Sequence, residues 1–235
     1  MNLLLLFDTD FLSPTRARLS GRRMEHVRNI HRLKTGDDLK VGLLGGQCGS
    51  GRILQMDEGF LELEVALDTP PPPKLPLTLI LALPRPKVLN RVLASATSLG
   101  VARIVLVNAW KVEKSYWKSP RMEEENLRHQ RILGLEQARD TILPELLTRR
   151  LLRPFVEDEL PSLAQGTLPL MAHPGSGTPC PRAVEAPVTL AIGPEGGFLP
   201  QEVELFGRAG FQAVELGPRI LRVETAVAAL VSRLF

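Results

Sequence analysis

The chain is poor in the residues that build metal sites and disulfide scaffolds. Its only two cysteines, Cys48 and Cys180, lie far apart, and four scattered histidines form no cluster. Structural zinc and a disulfide-dependent secreted framework are both excluded on that pattern. No apolar run approaches the roughly 20 residues that cross a bilayer. The opening run Met1–Phe7 is short, lacks a basic segment and meets Asp8 and Asp10, so it reads as a first β-strand and not a signal peptide. The expected location is cytoplasmic. Nucleotide fingerprints are missing as well. The first strand after the proline run leads into Ala82-Leu83-Pro84-Arg85-Pro86-Lys87 where a dinucleotide or methyl-donor site of the Gly-x-Gly-x-x-Gly type would carry glycines. The glycine-rich stretch 42–51 has no Lys-Ser/Thr pair and is followed by a strand, which makes it a hairpin loop and not a phosphate cradle. With no acidic cluster suited to a metal, a nucleotide-dependent hydrolase is disfavoured.

What remains is an ordinary globular composition, 44% hydrophobic and 23% charged, with a net charge of +3. The charge is segregated. Residues 16–34 hold seven basic residues (Arg16, Arg18, Arg22, Arg23, Arg28, Arg32, Lys34) against Glu25, and Arg85–Arg121 hold eight against Glu113. Two basic stretches in a near-neutral chain suggest a polyanion-binding surface, or else two solvated faces.

The clearest boundary is Thr69–Pro76, whose four consecutive prolines form a stiff spacer. It separates residues 1–70 from 77–235, with the linker at 71–76. Short β-like runs at Leu3–Phe7, Asp38–Leu44, Gly51–Met56 and Phe60–Leu67, interrupted by a helical stretch near Met24–Leu33, predict a small β-rich barrel before it. After it, strands at Leu77–Leu83, Arg103–Val107, Thr148–Leu152, Thr167–Ala172, Val188–Ile192 and Gln212–Leu216 alternate with helical patterns. The helices are expected at Lys87–Leu99, from Ser119-Pro120 to about Asp140, at Val156–Gln165, at Pro200–Arg208 and from Glu224 onward. This alternation is that of an α/β domain with a mainly parallel sheet covered on both faces.

Two late segments concentrate the chemistry: Ile192-Gly193-Pro194-Glu195-Gly196-Gly197-Phe198 and Leu216-Gly217-Pro218-Arg219-Ile220-Leu221-Arg222-Val223-Glu224-Thr225-Ala226. Each follows a buried-strand pattern and leads into a helix. Glycines at strand ends let backbone approach a ligand, and parallel strands bind ligands at their carboxyl ends. Two such turns predict one composite pocket, in which backbone groups suit the edge of a flat base. Arg219 and Arg222 add fixed positive charge, Glu224 adds an acid, and Thr225 is a candidate cap of the last helix.

These two segments resemble the signature of the ribosomal small-subunit RNA methyltransferase E family. The likeness extends to His26–Asp37, Lys87–Val101 and His173-Pro174, and so to most of the chain. The resemblance implies an N-terminal PUA-like β-barrel and a C-terminal domain of the SPOUT class, in which a trefoil knot encloses S-adenosylmethionine. It implies methyl transfer to N3 of a specific uridine in small-subunit (16S) ribosomal RNA. The donor would lie on Met171-Ala172-His173, on Ile192-Gly193-Pro194-Glu195-Gly196-Gly197 and on Leu216, Gly217, Arg219, Ile220, Leu221 and Thr225. Arg222 would stabilise charge on the uracil, and Glu224 would act as a base or orient Arg222. Arg22, Arg23, Arg28, Arg32, Arg85 and Lys87 are the candidates for holding RNA. A homodimer through the C-terminal domain is implied, with no metal and no membrane. Departures from the family pattern occur at Ser95–Ser98, where a Lys and a Glu are usual, and at Glu136-Gln137-Ala138-Arg139-Asp140, where the family reads Glu-Gln-Ser/Cys-Gly-Arg. A non-catalytic RNA-binding protein of the same fold, or a methyltransferase of another uridine, stays open on this reading.

Overall fold

The computed structural model describes residues 2–235, with His31 described by its backbone alone; Met1, the head of the expected first strand, lies outside the described residues. The chain divides into two compact units. The first comprises the chain up to Pro73 together with Ile132–Leu143, and the second comprises Lys74–Arg131 together with Pro144–Phe235.

The first unit is built on β1 (Leu4–Leu6), β2 (Phe11–Ser13), β3 (Arg16–Leu19), β4 (Asp38–Leu43), β5 (Cys48–Met56) and β6 (Leu61–Thr69), in the order β1-β4-β5-β6-β3-β2. Only β1 and β4 pair in parallel. The edge strands β1 and β2 are joined by the turn Asp8–Asp10. Five residue steps reach at most about 18 Å, whereas the edges of a flat six-stranded sheet stand about 24 Å apart. The sheet therefore curls. β1 shows why its sequence is an unbroken apolar run: side chains alternate between faces, with Leu4 and Leu6 in the core inside the sheet and Leu3 and Leu5 packed on Ile132 and Leu135. The glycine-rich stretch forms the expected hairpin, closed by Leu43 N–H to the Gln47 carbonyl at 3.0 Å. β2 and β3 have no counterpart among the expected strands. The expected helix at Met24–Leu33 is instead Gly21–His26 continued by a π-helical stretch Val27–His31, stopped by Arg32 at φ 55°.

The long helix Glu124–Ala138 serves two cores in succession: Leu127 belongs to that of the second unit, Ile132 and Leu135 to the first. It ends in a Schellman turn. Arg139 takes φ 57° and the Asp140 N–H donates to the Leu135 carbonyl at 3.1 Å. Arg139 thus holds left-handed backbone at the position where the family pattern has glycine.

The second unit carries a fully parallel sheet of β7 (Leu75–Ala82), β8 (Val101–Val107), β9 (Glu145–Arg149), β10 (Leu168–Ala172), β11 (Val188–Ile192) and β12 (Gln212–Val214), ordered β12-β10-β11-β7-β8-β9. The central strands β7 and β11 are buried along almost their whole length, as parallel strands covered on both faces require. The helices Pro86–Ser98, Pro200–Arg208 and Val223–Leu234 pack on the sheet. The segment 173–187, which joins the neighbours β10 and β11, takes a long way round. It pairs with Glu215 through Thr178 and Cys180, and then with the end of the last helix through Ala183 to Arg233 and Val184 to Leu234.

Replacing Arg139 with glycine relieves the left-handed side-chain clash and is expected to raise stability by about 1 kcal/mol. Urea unfolding of the variant against the parent chain reads it directly.

Candidate active site

β10, β11 and β12 stop level with one another, Ala172 pairing with Ile192 on one side and Val214 on the other. The chain that follows each strand opens from the same edge of the sheet, and together these segments line a cavity of about 310 Å³, within the range of small-molecule sites. Of the residues expected to hold a ligand, Ala172, His173, Ile192, Gly193, Pro194, Glu195, Gly196, Gly197, Leu216, Gly217, Arg219, Ile220 and Leu221 all line it.

The turn after β11 is closed by the Gly197 N–H to the Pro194 carbonyl at 2.7 Å, with Gly197 at φ 69°. A side chain on Gly193 would meet the Phe198 backbone nitrogen at 3.0 Å, so glycine lets the strand end run this close to the turn without the backbone having to give way. Phe198 fixes the far end of the turn in an aromatic group with Phe206 and Phe211, ring centroids 5.1 and 5.3 Å apart. In the second loop Gly217 adopts φ 123°. The N–H groups of Gly217, Arg219, Ile220 and Leu221 donate to no protein acceptor among the described residues, which leaves them for a ligand or water. The terminal helix contributes Val223, Ala226 and Leu230 to the cavity. Their three- and four-residue spacing, and the Phe198 that closes the first motif, are signals present in the sequence that the list of expected ligand residues leaves out.

Two expected residues fall outside. Met171 is spent in the sheet core, 1% exposed. Thr225 is exposed and does not cap the last helix, because that helix begins at Val223 and Arg222 occupies the cap position.

A second cavity of about 480 Å³ shares Glu195, Ile220 and Leu221 with the first and adds Arg85, Val88, Arg91, Arg222 and Glu224. One wall therefore separates an apolar cavity from a cationic groove. Glu195 Oε1 accepts the Arg85 backbone N–H at 3.0 Å. Glu224 pairs with Arg91 at 3.1 Å, and no ion pair joins it directly to Arg222 among the described residues. The reason is helical packing: Glu224 lies in the first turn of Val223–Leu234, against the helix that carries Arg91, whereas Arg222 precedes that turn in extended backbone with ψ 151°. Arg222 is exposed and has no ion-pair partner among the described residues.

The candidates for RNA contact divide. Arg85 and Lys87 are exposed at the start of the helix Pro86–Ser98. The Tyr116 phenol, its pKa raised by burial and by Glu113, also meets the Arg85 side chain, which pulls it down. In the first unit, Arg23 is a structural residue. It donates to both Asp10 oxygens at 2.6 and 2.7 Å and to the Leu5 carbonyl, and it lies 4.5 Å over the Phe7 ring. Arg22 is paired with Glu136 at 3.1 Å, and Arg16 and Arg18 with Glu62. Arg28 lines a shallow cavity with Lys34 and Glu58, and Arg32 is exposed. In the second stretch, Arg103 pairs with Glu145. Much of the segregated charge is thus neutralised by acids distant in sequence. Lys111, absent from the expected site residues, reaches the Gly196 carbonyl with its Nζ at 2.5 Å.

Residues 71–235, which hold the parallel sheet and the three strand-end loops, match the family model described as an RNA methyltransferase domain. The ribosomal RNA small subunit methyltransferase E of Treponema pallidum is 33% identical over 97% of this chain and 88% of its own length. Ribosomal RNA small subunit methyltransferase E 1 of Borreliella burgdorferi is 25% identical over 97% and 95%. The crystal structure of the Neisseria gonorrhoeae ribosomal RNA small subunit methyltransferase E bound to S-adenosyl methionine shares the fold, with a TM-score of 0.76 over 98% of this chain and 95% of that one at 22% identity. The chain belongs to the ribosomal RNA small subunit methyltransferase E family.

Gly193→Ala is expected to lower stability by about 1–3 kcal/mol, since backbone and not a flexible side chain must move. Gly196→Ala is tolerated better because its neighbour is the mobile Lys111 Cδ. Thermal melting of the two variants side by side distinguishes them.

Proposed function

We propose that the chain is an S-adenosylmethionine-dependent methyltransferase acting on N3 of a uridine in small-subunit ribosomal RNA. The observation that carries the reading is the convergence of three strand-end loops on an apolar cavity whose outer wall is shared with a groove holding an unpaired arginine. The cavity fits the donor. It offers glycine backbone where a Cβ would intrude, free N–H groups, apolar walls from Ile192, Leu216, Ile220 and Leu221, and no cluster of acids for a metal among the described residues. Ala172-His173, Ile192–Gly197 and Leu216–Leu221 would hold it. When bound, it supplies a methyl carbon activated by the adjacent sulfonium.

The protein's task is then alignment and charge control. Uracil N3 is a poor nucleophile while protonated; loss of that proton, to the Glu224 carboxylate or to solvent, places negative charge on the flanking carbonyls. Arg222 stands in the groove with its charge uncommitted, suited to stabilise that anion. Glu224, held by Arg91, serves to fix the start of the terminal helix and with it the placement of Arg222. Arg85 and Lys87 supply phosphate contacts that position the strand without reading sequence. Because N3 is hidden in a Watson–Crick pair, the target base must be unpaired or flipped.

Three further features belong to the same reading. The curled sheet of the first unit is a PUA-like barrel for RNA. The terminal segment threads the loop 173–187 as a knot, supported by that loop's bonds to Glu215, Arg233 and Leu234. The protein is a homodimer through the second unit.

Arg222→Ala is expected to lower turnover by about 10²- to 10³-fold while leaving donor affinity, read by calorimetry, near that of the parent. Turnover near the normal rate removes Arg222 from the mechanism. Mass mapping of ribosomal RNA from cells lacking the protein tests the reaction itself, which predicts the loss of one methyluridine.

A further inference from the structure

Trp110 is 77% exposed, although tryptophan is highly buried on average. Its backbone is nevertheless fixed. Ala109 and Val112 on either side are buried at 2% and 5%, and the Val112 N–H closes the turn onto the Ala109 carbonyl at 2.9 Å. The Trp110 N–H donates to Glu202 Oε1 at 2.8 Å. Glu202 is itself 7% exposed, and its other oxygen accepts the Leu199 N–H at 2.8 Å. The next residue, Lys111, is bonded to Gly196 on the cavity loop. A large indole is therefore held out on a rigid turn that abuts the strand-end cavity.

Trp117 shows what a structurally employed tryptophan looks like in the same loop. Its Nε1–H donates to Asn108 Oδ1 at 2.9 Å, and Arg150 lies 5.4 Å over its ring. The Trp110 indole has no hydrogen-bond acceptor, ring or cation partner among the described residues. The loop is cationic, with Lys111, Lys114 and Lys118 in it, while the opposing Glu113 is engaged by the Tyr116 hydroxyl at 3.0 Å.

We infer that Trp110 is a stacking platform for an unpaired base of the RNA, beside the nucleotide that enters the groove. A rigid aromatic face on a loop that also carries lysines is the combination that binds single strands, the ring taking the base and the cations the backbone. The same positive charge argues against an apolar protein partner. The inference deepens the proposed reaction and rests on it for the identity of the RNA.

The chain has two tryptophans, so Trp117→Phe leaves Trp110 as the sole indole reporter. Its emission is expected to be quenched on titration with a short oligouridylate. Independently of that variant, Trp110→Ala is expected to weaken binding of a labelled oligouridylate about tenfold by anisotropy, and Trp110→Phe to recover most of the loss. The melting temperature should not change, and the KM for ribosomal RNA should rise. Oligonucleotide binding by Trp110→Ala equal to that of the parent overturns the inference, as does binding of a protein partner, and not RNA, that depends on Trp110. Calorimetry with S-adenosylmethionine keeps the two readings apart. Donor binding without any Trp110 effect overturns the stacking platform alone, and a Trp110 effect without donor binding overturns the proposed reaction alone.

Discussion

β10, β11 and β12 are hydrogen-bonded side by side in parallel and end in register, so that Ala172, Ile192 and Val214 form a single row. Every other feature of the candidate site depends on that row. Parallel pairing forces each strand to leave the sheet in the same direction, and the shared level brings three otherwise separate loops to one opening. The glycines follow from this crowding. Gly193 is needed because the strand end and the turn that follows it are within contact distance, and Gly217 because the chain must bend at φ 123° between the sheet and the terminal helix. Only a short loop runs from the end of β12 at Val214 to the start of that helix at Val223. Fixing the row therefore also fixes the helix, and with it Arg222 at the cap position.

The electrostatics follow the same logic of packing over sequence. Arg91 and Glu224 meet because two helices pack, and their pairing leaves Arg222, like Arg85, in the groove without an ion-pair partner among the described residues. In the first unit the opposite happens: Arg23, which looks in the sequence like one of a row of surface cations, is drawn inward by Asp10 and the face of Phe7. A cation's role here is decided by whether an acid reaches it from another element.

Much of this is legible in the sequence. Five strands of the parallel sheet, the hairpin at residues 42–51 and the two glycine loops follow from local pattern, because buried strands and turns have local signatures; the strand expected at Thr148–Leu152 instead lies at Glu145–Arg149. Three things are not. β2 and β3 are three and four residues long, too short for alternation to show. The helix Glu124–Ala138 carries apolar residues for two cores in turn, so its pattern reads as one helix and conceals that residues 132–143 belong with the first unit. The partner of Glu224 lies 133 residues away in the chain, a distance over which spacing carries no information.

The most direct test is the structure of the protein crystallised with S-adenosylmethionine. The donor is expected in the cavity bounded by Ala172, Gly193 and Leu216, with its methyl group facing the groove that holds Arg222. A donor bound elsewhere on the chain, or a cavity closed by the protein's own side chains at saturating donor, would contradict the proposed reaction.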